Sequence, residues 1–238
     1  MIKIELLPIL WFGNKPEYLK SDLRIVTVGL NPSDQEFRLK KNDSYSLIRF
    51  PNFKDLDTLD TALNEYFEKI PYSSWFDVTF EPILNGMEAS YYTKSKKRNR
   101  AIHTDICSPW ATNPTWSYLS EGEKQELYSE GHQQWIDLIK ELMPDVIVIS
   151  VAKKYLIDNF KSCDNNWSVI KKDKNGNNRK NYIIKKYNYQ SNDIQIPVVF
   201  GLAAQMPFGT ISKEQKIKLG TLLYNHLLEL KKLKLAYP

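Results

Sequence analysis

One amide side chain, Asn31, stands directly after a predicted buried strand. Residues 24–28 are rich in β-branched side chains, and Gly29 and Pro32 bracket the asparagine where that run stops. Ligands of open α/β sheets bind just past the carboxyl ends of strands, so this position suits a ligand contact. Gly29 lets the backbone approach a ligand, and Pro32 stiffens the turn. The alternative is a tight turn in which asparagine is present for its backbone tolerance.

The elements that must hold this turn follow an alternating pattern of strands and helices. Apolar or β-rich runs bounded by turn formers predict four strands, at residues 23–28, 101–106, 145–151 and 197–201. Helical patterns lie between them. This alternation predicts an α/β fold with a mostly parallel four-stranded central sheet that is covered on both faces.

Three helices and two insertions complete the predicted organisation. Helical periodicity predicts helices over 57–69 and 130–142 and a last helix from about Ser212, whose hydroxyl can open a Ser-x-x-Gln capping box. Residues 37–56 lack clean periodicity, which predicts a long loop. Residues 167–189 predict a β-hairpin with a basic tip.

Composition limits the classes of protein that the chain can belong to. Its 238 residues, 42% of them apolar, favour one α/β domain over two. Two cysteines exclude a disulfide framework, and three scattered histidines show no metal-ligand spacing. We therefore expect no metal and no cofactor. The sequence shows neither a membrane-spanning run nor a signal pattern, so we expect a cytoplasmic monomer without a membrane partner.

Positive charge is concentrated in two places, although the formal net charge is only +5. One basic cluster lies at residues 94–100 and a second at residues 171–186. Basic side chains near aromatic rings suit DNA, since its phosphates pair with lysine and arginine and its bases stack on rings. The alternative for each cluster is a solvated loop. We predict that the first cluster binds DNA through Lys94, Lys96, Lys97, Arg98 and Arg100.

Three motifs together resemble those of the uracil-DNA glycosylase superfamily. VGLNPS at residues 28–33 resembles its first motif, in the Gly-x-Asn-Pro form of the mismatch-specific uracil/thymine glycosylase branch. IHTDICSP at residues 102–109 stands where the superfamily has a strand that ends in a base-reading residue. GLAAQMPFGTIS at residues 201–212 stands where it has a strand and a His-Pro-Ser or Asn-Pro-Ser loop, but the histidine is absent. The resemblance covers residues 23–215.

This resemblance implies a single domain, a three-layer α/β/α sandwich, that flips a nucleotide out of double-stranded DNA and hydrolyses its N-glycosidic bond. Asn31 and Gln205 are the catalytic candidates. The side-chain oxygen of Asn31 can hold a water against C1′, although an amide is not a base. Gln205 stands nearest to the missing histidine and can donate to O2 of the base. Gly29, Leu30 and Pro32 would border the base.

Asp105 matches the position at which the uracil-specific branch has an asparagine. A carboxylate only accepts hydrogen bonds, so it would repel O4 of uracil and accept from the amino group of cytosine. A protonated carboxyl group could instead donate to N3 while accepting from that amino group. Either form predicts a cytosine-type base, and a modified one, because excision of plain cytosine would destroy the host genome. The alternative is that Asp105 caps a loop or pairs with a basic side chain.

The stacking partner and the DNA contacts are predicted from their positions around the motifs. Phe50 is the predicted ring that stacks on the flipped base, with Tyr45 and Phe53 as alternatives. For each of the three, the other interpretation is a ring in the hydrophobic core. His103 either approaches O2 of the base or is a structural histidine. Around the third motif, Met206 or Phe208 would act as the wedge that fills the space of the extruded nucleotide. Further DNA contacts are predicted for Ser33, Pro207 and Ser212.

These observations predict a monofunctional DNA glycosylase that acts on a flipped, modified cytosine-type base, with antiphage defence as one context. One alternative is a non-catalytic reader of modified or damaged DNA, since Asn31 is not basic. Another is a uracil or mismatch repair glycosylase. A third is a small-molecule enzyme that acts on a nucleotide or sugar.

Overall fold

A computed structural model describes residues 1–39, 44–156, 159–163, 167–172, 177–191, 194–201 and 206–236. The strands in this part of the chain are β1 (Ile2–Ile4), β2 (Ile25–Gly29), β3 (Arg38–Leu39), β4 (Tyr45–Ser46), β5 (Ala89–Ser90), β6 (Asn99–Asp105), β7 (Ala111–Asn113), β8 (Val146–Ile149), β9 (Phe160–Ser162), β10 (Trp167–Lys172), β11 (Asn178–Ser191) and β12 (Ile194–Phe200). The α-helices are α1 (Lys15–Leu19), α2 (Leu59–Asn64), α3 (Ser73–Phe76), α4 (Glu81–Gly86), α5 (Glu121–Leu142) and α6 (Lys213–Ala236). None of these helices is long and apolar enough to cross a membrane.

The central sheet has the strand order β10-β11-β12-β8-β2-β6-β5, and β9 also pairs with β11. From β12 to β5 every neighbouring pair of strands is parallel. Strand β11 runs antiparallel to each of its partners, β9, β10 and β12. Helices flank the sheet. The prediction of an α/β fold with a mostly parallel sheet is therefore confirmed, and the four predicted strands are adjacent to one another.

The sheet is wider than the four strands that the sequence predicts. The hairpin predicted at residues 167–189 forms as β10 and β11, but β11 also pairs along the whole of β12. An unpaired edge of β12 would leave its backbone amides and carbonyls without partners, and β11 satisfies them. The hairpin is therefore part of the central sheet. Its predicted tip, residues 173–176, lies outside the described residues.

Strand β2 lies at the centre of the parallel part and places Asn31. All of its residues are buried, and it pairs with β6 on one side and β8 on the other. The register sets Gly29 opposite Asp105 and Val28 opposite Ile149. Three strand ends therefore meet at one edge of the sheet, and the chain turns into the first motif there.

The faces of β6 alternate between two groups of helices, as expected for a strand. His103 contacts the rings of Trp75 and Phe76 on α3, at centroid distances of 5.4 and 5.2 Å. On its other face, Thr104 Oγ1 accepts a hydrogen bond of 3.0 Å from Trp135 Nε1 on α5. Helices thus pack against this strand from both sides.

The last helix packs closely against α4. A Cβ atom on Gly86 would lie 2.1 Å from the backbone oxygen of Ile217, and one on Gly220 would lie 2.0 Å from that of Ile83. The predicted start of α6 is confirmed, since Ser212 N donates to Gln215 Oε1 and Gln215 N donates to Ser212 Oγ, at 2.9 and 3.3 Å.

Two of the predicted helices differ in extent from the structure. The helix predicted at 130–142 begins earlier, at Glu121, behind a capping box of Ser120 and Glu123. The continuous helix predicted at 57–69 is wrong. Helix α2 ends at Asn64, whose Oδ1 accepts hydrogen bonds from Trp11 Nε1 and Lys15 N. Short 3-10 turns lie on both sides of α2.

Candidate functional site

A cavity of about 440 Å³, the strand-end cavity, opens at the carboxyl ends of β2, β6 and β8. Its lining comes from those strand ends, from the first motif and the turn after it, from the segments 72–76 and 115–118, and from two single residues of other segments. The lining residues are Phe12, Gly29, Leu30, Asn31, Pro32, Ser33, Gln35, Glu36, Tyr72, Trp75, Phe76, His103, Asp105, Thr115, Trp116, Ser117, Tyr118, Ser150 and Pro207. The two central candidates from the sequence, Asn31 and Asp105, are both among them.

Hydrogen bonds from the amide nitrogen fix the side chain of Asn31. Its Nδ2 donates to Thr112 Oγ1 at 3.0 Å and to the carbonyl of Trp110 at 3.4 Å. The backbone beside it is fixed as well, because Cys107 N donates to the carbonyl of Leu30 at 2.9 Å. No described residue donates to Oδ1 of Asn31. This oxygen is therefore an oriented acceptor in the wall of the cavity.

Asp105 lies beside the first motif because glycine leaves room for it. A Cβ atom on Gly29 would lie 2.5 Å from Asp105 Oδ1 and 3.2 Å from His103 Nε2. The carboxyl group is buried, and its Oδ1 lies 3.7 Å from His103 Nε2. Gly29 is thus required by close approach, and the acidic and amide groups border the same space.

His103 is a buried residue with one nitrogen directed at Asp105. Its Nδ1 lies 2.8 Å from Thr27 Oγ1, which is also hydrogen bonded to the hydroxyl of Tyr91. Thr27 Oγ1 is farther from the carbonyl of Ile102, at 3.4 Å. We therefore assign donation from Tyr91 to Thr27 and from Thr27 to Nδ1, which leaves the proton on Nε2. That N–H faces Asp105 Oδ1 across 3.7 Å, which is beyond hydrogen-bond distance.

The aromatic wall differs from the one predicted. Phe50 is fully buried between Phe37 and Tyr66, at centroid distances of 5.9 and 5.3 Å, and does not line the cavity. The alternatives Tyr45 and Phe53 are half-buried and do not line it either. Phe50 belongs to the core because the segment after β4 folds inward. The rings that line the cavity are Phe12, Tyr72, Trp75, Phe76, Trp116 and Tyr118.

Glu36 is a cavity residue that the sequence reasoning missed. It ends a 3-10 turn, Asp34–Glu36, that Ser33 caps through its side chain. The residue is 5% exposed, and burial raises the pKa of its carboxyl group to about 7. The hydroxyl of Tyr66 donates to its Oε2 at 2.5 Å. A polar run without periodicity gave no sign that this glutamate would be buried.

Ser150 is the second residue that was missed. It follows β8 directly, is 3% exposed and lines the cavity. Its Oγ has no hydrogen-bond partner among the described residues. The rule that selected Asn31, a polar side chain just past an apolar strand, also applies here and could have found it.

The third motif lies partly within the described residues. Gln205 lies outside the described residues. Met206 is 45% exposed, whereas Phe208 is fully buried against Gly201 and Phe80. Phe208 therefore cannot be the wedge, and Met206 is the one that remains available for this role. Pro207 lines the cavity.

Two residues of this motif, Pro207 and Ser212, have further contacts. Lys216 is buried, and its Nζ donates to the carbonyls of Val78 and Pro207 at 2.5 and 3.4 Å. Burial lowers the pKa of this lysine. Ser212 is committed to the cap of α6, and its Oγ also bonds Glu214 at 2.8 Å.

The basic cluster at residues 94–100 does not lie at the cavity. It lies before β6 and in the first two residues of that strand, whereas Asp105 is the strand's last residue, and the strand spans roughly 20 Å. Arg100 donates to four backbone carbonyls, at 2.8 to 3.2 Å. Lys97 pairs with Glu88, and Arg98 pairs with Asp22, each at 2.7 Å. Lys94 and Lys96 remain exposed.

No group of His, Cys, Asp or Glu side chains in the described ranges is arranged to hold a metal ion. Comparisons with protein-family models, with curated proteins and with solved structures gave no match to this chain.

Proposed function

We propose that the protein is a DNA glycosylase that hydrolyses the N-glycosidic bond of a flipped, modified cytosine-type base. The observation that carries this proposal is the shared cavity of Asn31 and Asp105 at adjacent strand ends. A volume of about 440 Å³ lies within the usual range for small-molecule sites and exceeds what a bare base requires.

The fixed orientation of Asn31 supports a water-positioning role. Cleavage of the C1′–N bond builds positive charge on the sugar and negative charge on the departing base, so positioning and electrostatics supply much of the acceleration. Oδ1 of Asn31 can accept a hydrogen bond from water, because Nδ2 is already bound to Thr112. Water would then attack C1′ and the base would leave with the bonding electron pair.

The surroundings of Asp105 support recognition of an amino group. His103 directs an N–H toward one carboxyl oxygen, at 3.7 Å, which leaves the group able to accept from a ligand N–H₂. Cytosine presents such an amino group at its Watson–Crick edge, whereas uracil presents a carbonyl oxygen. The lining rings offer surfaces on which a base can stack.

The fold adds support for the same proposal. Helices pack against both faces of β6, which fits a single three-layer α/β/α domain. The resemblance of the three motifs to the uracil-DNA glycosylase superfamily implies this architecture, with DNA as the partner of a cytoplasmic monomer. Met206 is exposed near the cavity residue Pro207, where a wedge into the DNA stack would be placed.

The test uses short DNA duplexes that carry cytosine, uracil, 5-hydroxymethylcytosine or its glucosylated form. The protein should release a modified cytosine and leave alkali-sensitive abasic sites. Asn31→Ala should reduce the single-turnover rate by about 100-fold, since it removes the group that positions the water. Asp105→Asn should move the preference toward uracil, and Asp22→Asn, which changes an exposed carboxylate, should change neither.

A second candidate is a reader that binds the modified base without cutting it. The amide of Asn31 favours this reading, because it cannot take a proton from water. A reader would bind the modified duplex more tightly than the unmodified one and leave no abasic site. If the protein were a uracil or mismatch repair enzyme, the wild type would instead release uracil from the uracil-containing duplex.

A further inference from the structure

Glu36 lies in the wall of the strand-end cavity, five positions after Asn31 in the first motif. Gly29 to Ser33, Gln35 and Glu36 all line this wall. The water that Asn31 would hold must lose a proton during attack, and the amide cannot accept it. Glu36 is the ionisable side chain that this segment adds to the cavity.

The carboxyl group of Glu36 is oriented by a hydrogen-bonded chain. Tyr72 N donates to the hydroxyl of Tyr66 at 2.9 Å, so the single hydroxyl proton of Tyr66 is directed to Glu36 Oε2, 2.5 Å away. Arg49 Nε lies 4.0 Å from the same oxygen. No described residue donates to Oε1. One carboxyl oxygen is therefore anchored and the other remains open for a ligand or a water.

The surroundings of Glu36 shift the pKa of its carboxyl group in both directions. Burial raises the pKa of its carboxyl group to about 7, and the nearby carboxylate of Asp105 adds to this rise. The Tyr66 hydrogen bond and the charge of Arg49 act in the opposite direction. A base with a pKa close to neutral is suited to proton transfer at physiological pH, since it is ionised there yet still accepts a proton.

We propose that Glu36 is the general base that takes the proton from the attacking water, and this role rests on the proposed glycosylase function. The oxygen of water forms a bond to C1′ while the C1′–N bond breaks and its electron pair stays on the base. Glu36 accepts the proton that the water loses. It then releases that proton to the departing base or to solvent, so one water is added across the bond and Glu36 regains its charge.

The test compares Glu36→Gln, Tyr66→Phe and Asp34→Asn on the duplex that the wild-type protein cleaves among the four forms. For the wild type, kcat/KM should rise with pH around a midpoint near 7, because the ionised form of Glu36 is active. Glu36→Gln should lower the rate by about 100-fold and abolish that rise. Tyr66→Phe should move the midpoint to higher pH, because the hydrogen bond from Tyr66 stabilises the charged carboxylate and this variant removes it.

Asp34→Asn is the matched control, because it changes an acid on the same 3-10 turn that does not line the cavity. It should keep both the rate and the midpoint. A merely structural Glu36 would lower the rate in Glu36→Gln without removing the pH rise, and that result would overturn this inference alone. A wild-type protein that produces no abasic site from any of the four duplexes would overturn both the inference and the proposed function.

Discussion

Described neighbours hold two polar side chains of the strand-end cavity by hydrogen bonds, and a third polar side chain lies beside a histidine. Thr112 holds the amide of Asn31, His103 faces one oxygen of Asp105, and the hydroxyl of Tyr66 anchors Glu36. Groups that are fixed before the ligand arrives need no reorganisation during reaction, which is how enzymes stabilise developing charge. Under the proposed glycosylase function, Asn31 and Glu36 would therefore need little reorganisation during the reaction.

We predict that Ser150 contacts the ligand, so that its replacement should change the affinity for the ligand and not the stability of the fold. Its buried Oγ has no partner in the described part of the chain, so Ser150→Ala removes no hydrogen bond within it. We expect an unchanged or slightly higher thermal midpoint. Affinity for the modified duplex should fall by about 2- to 10-fold, the usual contribution of one hydrogen bond, in a fluorescence anisotropy titration.

Ser90→Ala is the contrasting variant for that prediction. The hydroxyl of Ser90 is equally buried but donates to Glu81 Oε1 at 2.6 Å, outside the cavity. This variant should lower the thermal midpoint and leave the affinity unchanged. Loss of affinity in both variants, or in neither, would contradict a ligand-binding role for Ser150.

The sequence could predict that Asn31 and Asp105 border one cavity, because Asn31 follows one apolar strand and Asp105 lies at the end of another. It could not predict Glu36, since its burial depends on Tyr66, thirty positions away in the chain. It also misplaced Phe50, because an aromatic residue in an aperiodic segment packs equally well in a core or a pocket. Long-range packing decides such positions, and local pattern does not contain it.

The loop between β5 and β6 carries most of the basic cluster that the sequence predicts to bind DNA, but the loop lies far from the strand-end cavity. Arg100, the second residue of β6, folds back on this loop and donates to the carbonyls of Thr93, Ser95, Lys97 and Asn99. The charge that suggested a DNA surface is therefore used in part to fold the loop. The loop also stands at the amino end of β6, away from the cavity.

Under the proposed function, we expect charge reversal on this loop to leave DNA binding almost unaffected. A Lys94→Glu, Lys96→Glu double variant changes only exposed lysines. Each phosphate contact contributes about 0.9 to the slope of log affinity against log salt for duplex DNA, so two lost contacts would reduce the slope by roughly 2. An unchanged slope is the expected result, and a reduction of that size would restore this loop to the DNA interface.

Arg100→Ala makes the complementary prediction for the same element. It leaves four backbone carbonyls without their donor, so we expect a lower thermal midpoint and, at a temperature where the variant is folded, an unchanged salt slope. Thermal melting followed by circular dichroism measures the first, and salt titration measures the second. A stable variant with weakened DNA binding would contradict this role.

At the scale of the whole molecule, the parallel strands were predictable and their neighbours were not. Runs of β-branched residues located β2, β6, β8 and β12, but no local pattern states that β2 lies between β6 and β8. That order matters most, since it brings Asp105 to Gly29 and Ser150 to the same edge. The strand ends of a parallel sheet gather side chains from distant parts of the chain into one site.

Two buried glutamates in the described part of the chain, Glu36 and Glu81, should make the stability of the molecule depend on pH. Burial raises the pKa of Glu36 and of Glu81 from the ordinary 4.5 to about 7. Between those values these two groups bind more protons in the folded protein than in the unfolded chain, so the stability that they contribute falls as pH rises from 4.5 to 7. Each group contributes on the order of 3 kcal/mol to this loss.

Thermal midpoints measured from pH 5 to pH 8 test this dependence. The wild-type midpoint should fall as pH rises, and Glu81→Gln should fall less steeply, because its amide cannot ionise while Ser90 and Tyr91 can still hold the side chain. Glu123→Gln is the control. The pKa of Glu123 is lowered to about 2 by the N-terminal amino group and the Ser120 cap, so its titration lies below the tested range. A midpoint that stays constant or rises toward pH 8 would show that neither buried carboxyl group resists ionisation in the folded state.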